Sequence, residues 1–196
     1  LNCKRKIEQA STKMSNGNTW LSFLFSPAAK AATHKAFQQL APFDLELMDQ
    51  KMMHMTAAFL GKSLRGKQVT FLQETNSWLH ENVKEAMPAG VQLQFVRFDY
   101  FPLGAVKMKR KLLVAVYKNH TKLNDWNVAL RRQLKDMELC TYDDALLAHI
   151  TVGRVRGANV PTEMQLCKFR APPPLQVLGM HLCGQQNKHL DQVFAK

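Results

Sequence analysis

Apolar and polar positions fall into short runs with two different periods. Residues 20–25 (WLSFLF) are mostly apolar and rich in aromatics, as in a buried strand. Ser26-Pro27 then supplies a capping residue and a proline for a first turn, and Ala-rich sequence carries the predicted helix to about Leu40. Residues 53–60 (MHMTAAFL) predict a second strand, ended by Gly61. A long helix is expected from Leu64 or Arg65 to Met87, stopped by Pro88-Ala89-Gly90. Residues 91–98 and 111–117 predict two more strands, joined by a basic hairpin loop with Pro102 and Gly104.

Residues 121–139 are amphipathic, with Leu123, Trp126, Val128, Leu130, Leu134 and Met137 on one broad helical face. On that pattern Arg131, Arg132 and Lys135 belong to the solvated side. Residues 148–155 (AHITVGRV) predict another strand, and Pro172 to Pro174 lead into a last one over 175–182. The order of elements is that of an α+β fold, with mixed or antiparallel sheets and helices on their outer faces. Residues 1–18 are expected to form a flexible basic N-terminal segment, and 19–196 a single domain.

Composition narrows the function classes. With 196 residues, 46% of them hydrophobic, the chain can bury a core that needs neither metal nor disulfide to hold it. No apolar run approaches the ~18 residues of a membrane span. Twenty-seven Lys and Arg against fifteen Asp and Glu leave a net charge of +12, which points to a polyanionic partner or substrate. Cys3, Cys140, Cys167 and Cys183 form no CxxC and no Cys/His ligand array. They fit reduced, mostly buried residues of an intracellular, cytoplasmic protein, with nuclear and organellar settings open.

The chemistry lies in a repeated phrase. His54-Met55-Thr56 falls in one predicted strand and His149-Ile150-Thr151 in another, 95 residues later. In a strand, residues i and i+2 share a face, about 6.6 Å apart, so each phrase presents an imidazole beside a hydroxyl. Met53, Met55 and Ala57, like Ala148, Ile150 and Val152, then face the other way. Two imidazoles across a groove suit in-line displacement at phosphorus, one taking a proton and the other giving one. Thr hydroxyls beside them can donate to non-bridging phosphate oxygens, where charge builds in the transition state. Seven histidines among the chain's Ser and Thr would give roughly 0.6 such phrases by accident, so spacing by itself is suggestive only. The other histidines, His34, His80, His120, His181 and His189, lack a partner phrase and are expected to be structural or solvated.

With their flanks, MMHMTAAFLGK (52–62) and LLAHITVGRVRG (146–157) resemble the paired HxT motifs of the 2H phosphoesterases. The likeness is to the LigT-like branch, the 2′,5′ RNA ligases and RNA 2′,3′-cyclic phosphodiesterases, and runs from about Trp20 to Leu182. It implies a bilobal, pseudo-twofold α+β fold of antiparallel sheets with outer helices and both motifs in a central groove. It implies a metal-free, cofactor-free reaction that opens a 2′,3′-cyclic phosphate to a 2′-phosphate or acts on a 2′-5′ linkage. The substrate would be an RNA terminus or a small nucleotide. His149 would be the base that activates water, His54 the acid that protonates the departing 3′ oxygen, and Thr56 and Thr151 would hold the phosphate. Arg154 matches the arginine that follows the second motif, but strand parity puts it on the face opposite His149 unless the strand bulges, for which Gly153 is a plausible site.

Two further features bear on binding. Gly61-Lys62-Ser63 mimics the end of a phosphate-binding loop, but that loop would need glycine where Thr56 stands. Lys107 to Lys111 (KMKRK) places four cations near Phe98, Tyr100 and Phe101. Tyr100, Phe101, Lys109 and Arg110 are therefore candidates for gripping RNA or a nucleotide, against the alternative of a solvated hairpin. A groove that binds a nucleotide or RNA end without turnover is the alternative function.

Overall fold

Strand β1 (Thr19–Leu24) forms where the aromatic run predicts it, and Leu21 and Phe23 are buried along one of its faces. The computed structural model describes residues 19–61, 81, 87–88, 90–101, 112–118, 120–137, 147–183 and 189–195. Ser26 caps helix α1 (Pro27–Phe37), its Oγ accepting from Ala29 N at 3.1 Å. A cap of this kind is worth about 1 kcal/mol. A 3-10 turn over Gln38–Leu40 finishes the helix where the sequence predicts its end. The chain continues through β2 (Leu45–Leu47), a 3-10 turn (Gln50–Met52), β3 (Met55–Gly61), β4 (Gln92–Phe101) and β5 (Leu112–Lys118). Helix α2 (Thr121–Asp136), β6 (His149–Val155), a single-turn helix α3 (Glu163–Leu166), β7 (Leu175–Gln176), β8 (Gly179–Cys183) and β9 (His189–Ala195) follow.

The strands form two antiparallel sheets, in the orders β3-β1-β8-β9 and β2-β6-β5-β4-β7. The α+β class is as predicted, but the chain does not fold as one sheet per half. Strand β2 leaves the first half to pair with β6, and β8 and β9 return to pair beside β1. The single strand predicted over 175–182 is two strands in different sheets. At the crossing Val177 N donates to Val91 O and Leu178 N to Leu24 O, both at 2.9 Å. The apolar run gives no sign of this, because Val177 and Met180 are both buried in the same core. Strands β2 and β9 are absent from the sequence pattern. The first is only three residues long, and the second mixes polar and apolar residues without a clean alternation.

Helices cross between sheets as well. Helix α1 follows β1 yet packs on the second sheet, where Phe37 meets Phe98 edge-on at 6.2 Å. Helix α2 follows β5 yet packs on the first, where Trp126 lies 6.3 Å from Phe23. One contiguous apolar core runs through both, with Phe23, Phe25, Phe37 and Leu40 fully buried. Each such side chain contributes roughly 1.5–3 kcal/mol by leaving water.

The helix predicted over 64–87 lies almost entirely outside the described residues, as do residues 1–18, Pro102, Gly104 and the KMKRK stretch. Gly90 has φ 67°, a left-handed conformation that suits glycine. Cys183 is buried as expected and Cys167 is exposed, both as free thiols, while Cys3 and Cys140 fall outside the described residues. Among the described residues no helix is long and apolar enough to cross a membrane.

Candidate active site

The two motif strands belong to different sheets and come together: Cα atoms of β3 and β6 approach within 8 Å. Around each motif the burial alternates as the i, i+2 pattern requires. Met53, Met55 and Ala57 are buried while His54 and Thr56 stay partly open. Ala148, Ile150 and Val152 are buried while His149 and Thr151 stay partly open. His149 lies in β6, as predicted, and is its first residue. His54 stands one residue before β3 rather than inside it, because the 3-10 turn over Gln50–Met52 runs straight into the motif. Asp49 caps that turn, its Oδ1 accepting from Lys51 N at 2.7 Å.

Both imidazoles are anchored in the same way. His54 Nδ1 lies 2.8 Å from Met52 O, and His149 Nδ1 lies 2.8 Å from Leu147 O. A carbonyl can only accept, so in each ring Nδ1 carries the proton and donates it. In a neutral ring Nε2 is then the nitrogen with the lone pair, the tautomer a general base needs. Each ring also rests on an aromatic. Trp20 of β1 is 5.2 Å from His54 at a 35° tilt, and Phe101 of β4 is 5.3 Å from His149 and nearly parallel to it, at 12°. Burial pulls the pKa of His149 below the usual 6.5, and the bond to Leu147 O only partly offsets this. The ring is therefore neutral at pH 7.

Each motif strand slips its register just after the threonine. On β3, Thr56 pairs with Ser22 and Ala58 with Leu21, leaving Ala57 extra. On β6, Thr151 pairs with Val114 and Gly153 with Leu113, leaving Val152 extra. The bulge at Val152 reverses the parity that would have turned Arg154 away. Val152 and Gly153 are both buried, and the exposed Arg154 falls on the face of His149 and Thr151. The extra residue is thus one position before the glycine that suggested it. Gly153 has its own reason to be glycine: a Cβ there would sit 2.7 Å from Glu46 O of β2.

The other candidates divide. Phe101 stacks on His149 and pairs with Leu112, which in turn pairs with Arg154, so it shares their face. Tyr100 points to the other face, where its hydroxyl donates to Pro161 O at 2.7 Å. It lines a cavity of about 410 Å³ with Phe95, Arg97, Glu163, Cys167 and Phe169 rather than meeting the motifs. Lys109 and Arg110 lie outside the described residues. Helix α2 corrects one reading. Arg131, placed with the solvated side by periodicity, is half-buried, and its guanidinium donates to Ala57 O beside Asn127. Asn127 carried the missed signal, a polar residue within the apolar face of Leu123, Trp126, Leu130 and Leu134 and one turn before Arg131.

No family model matches the sequence, and no curated protein does. Solved structures do match, and what they share with this chain is the fold. The protein TT0787 of Thermus thermophilus is 18% identical over 89% of this chain and 96% of its own, with a TM-score of 0.61. LigT of E. coli, complexed with 3′-AMP, is 15% identical over 86% of this chain and 87% of its own, with a TM-score of 0.59. A further structure described as a phosphoesterase gives 13% identity, 86% and 88% coverage and a TM-score of 0.57.

Proposed function

We propose that the chain is a 2H phosphoesterase of the LigT-like branch that opens 2′,3′-cyclic phosphates to 2′-phosphates, or cleaves 2′-5′ linkages, on RNA ends or small nucleotides. The observation that carries this reading is the pair of identically anchored imidazoles, each held at Nδ1 by the carbonyl two residues back and each followed by a threonine on the same face. His149, kept neutral by burial, takes a proton from water at Nε2 as the water oxygen bonds to phosphorus. His54, protonated on both nitrogens, gives its Nε2 proton to the 3′ oxygen as the P–O3′ bond breaks. Thr56 and Thr151 donate to the non-bridging oxygens, and Arg154 adds a positive charge beside them. The two histidines exchange protonation states in one turnover and reset through solvent. Every proton is carried by an imidazole, so the mechanism asks nothing of a metal or cofactor. The net charge of +12 suits a polyanionic substrate, and the 3′-AMP held by LigT is a nucleotide of the right class.

The test is hydrolysis of 2′,3′-cyclic mononucleotides and of a short RNA ending in a cyclic phosphate, in EDTA, by wild type, His54→Ala and His149→Ala. Turnover that survives EDTA, yields a 2′-phosphate and is lost in both variants supports the reading. No turnover by wild type, with tight nucleotide binding that both variants retain, would replace it with a binding module in the same groove.

A further inference from the structure

Thr56 is followed at once by the bulged residue Ala57, on the strand that ends its sheet among the described residues. The Ala57 carbonyl oxygen is held from helix α2 by Asn127 Nδ2 at 2.8 Å, Arg131 Nε at 3.1 Å and Arg131 Nη2 at 2.9 Å. One donor is enough to satisfy a carbonyl. At the matching bulge on β6, among the described residues, Val152 O accepts from the backbone N–H of Met48 at 2.8 Å. On β3 the same task is given to a fully buried amide and a guanidinium fork, the latter brought inward while its neighbour Arg132 stays exposed. Bringing a guanidinium partly out of water is unfavourable, and a hydrogen bond to a charged donor is stronger than a neutral one. The arrangement therefore fixes the orientation of one peptide group more firmly than satisfying that group requires.

From this we infer that Arg131, supported by Asn127, is a positioning residue for the first motif. By locking the Ala57 bulge it sets the angle at which Thr56, and His54 ahead of it, meet the phosphate. A bulge that relaxed into regular pairing would move β3 by one residue and turn Thr56 to the opposite face. The clamp also reaches across the molecule. Helix α2 follows β5, the strand paired with β6, so the element that fixes the first motif is covalently continuous with the sheet that carries the second. The catalytic consequence rests on the proposed function; the clamp itself does not.

Two readouts test it in the intact chain. In steady-state hydrolysis of a 2′,3′-cyclic mononucleotide, Arg131→Met lowers kcat by about 10- to 100-fold with KM changed by less than about threefold, as expected for misplaced groups rather than lost binding. Arg131→Lys, which keeps the charge but not the fork, falls between it and wild type, and Arg132→Met matches wild type. In methyl NMR spectra of the free protein, Arg131→Met shifts the Thr56 methyl resonance and leaves that of Thr151 in place. The inference is overturned if Arg131→Met lowers only the melting temperature, with kcat per folded molecule and the Thr56 resonance unchanged. A wild type without turnover would sink the proposed function instead, and the Thr56 resonance would still decide the clamp.

Discussion

Phe101 lies flat against His149, ring centroids 5.3 Å apart and planes 12° from parallel. The stack joins the last residue of β4 to the first of β6, two strands separated in the sheet by β5. It covers one face of the imidazole and so contributes to the burial that keeps the ring neutral.

Removing that cover moves the titration in a known direction. In Phe101→Ala water reaches the ring, and the His149 pKa rises toward its ordinary 6.5. An NMR titration of the His149 Hε1 proton should show the rise, and the acid limb of the rate profile should shift up with it. An unchanged midpoint would mean that Phe101 does not desolvate the ring.

Stability should carry the same signature. The folded pKa of His149 is depressed, so below about pH 6.5 the unfolded chain takes up a proton that the folded chain resists. The contribution of the neutral ring is complete above 6.5 and is lost as pH falls from there through the folded pKa. Urea unfolding of wild type and His149→Gln from pH 8 to 5 should give a constant difference above 6.5. Below it, wild type should lose ground to the variant.

Gly153→Ala tests the close passage of β2 over β6. The new methyl would stand 2.7 Å from Glu46 O, a backbone atom that cannot swing aside. A loss of about 1–3 kcal/mol is expected from such overpacking, read by thermal or urea unfolding. Gly90→Ala, which meets no neighbour but holds φ at 67°, should lose about 1 kcal/mol for conformation alone. Equal losses at both sites would argue that β2 simply moves away.

Arg154→Gln should leave folding intact, since the side chain is exposed, and should lower kcat/KM on cyclic phosphates. Loss of one charge-assisted contact, about 1.5–3 kcal/mol, corresponds to roughly 10- to 100-fold. Wild-type kinetics in this variant would remove Arg154 from the phosphate site.

How much of this is legible in the sequence depends on the range of the physics. Alternation around His54 and His149 is local, so period-2 reasoning places both imidazoles and both hydroxyls on open faces beside a buried stripe. The Ser26 cap is legible for the same reason. What parity does not supply is the effect of a bulge: it puts Arg154 on the wrong face unless the strand breaks its register, and the break comes at Val152, an ordinary strand residue by type. Arg131 is lost to helical periodicity because its partner is a carbonyl 74 residues earlier in the chain. Segment 175–182 reads as one strand because a buried apolar run looks alike in either sheet.

The crossing at residues 177 and 178 has a bearing on how this molecule could be divided. Because β7 closes one sheet, β8 supports the interior of the other and only two residues separate them, neither sheet is encoded by a continuous stretch of chain. Cutting between the two motifs would not release two folded halves, since each fragment would hold orphan strands belonging to the other. The histidines, though far apart in sequence, can be inherited only together.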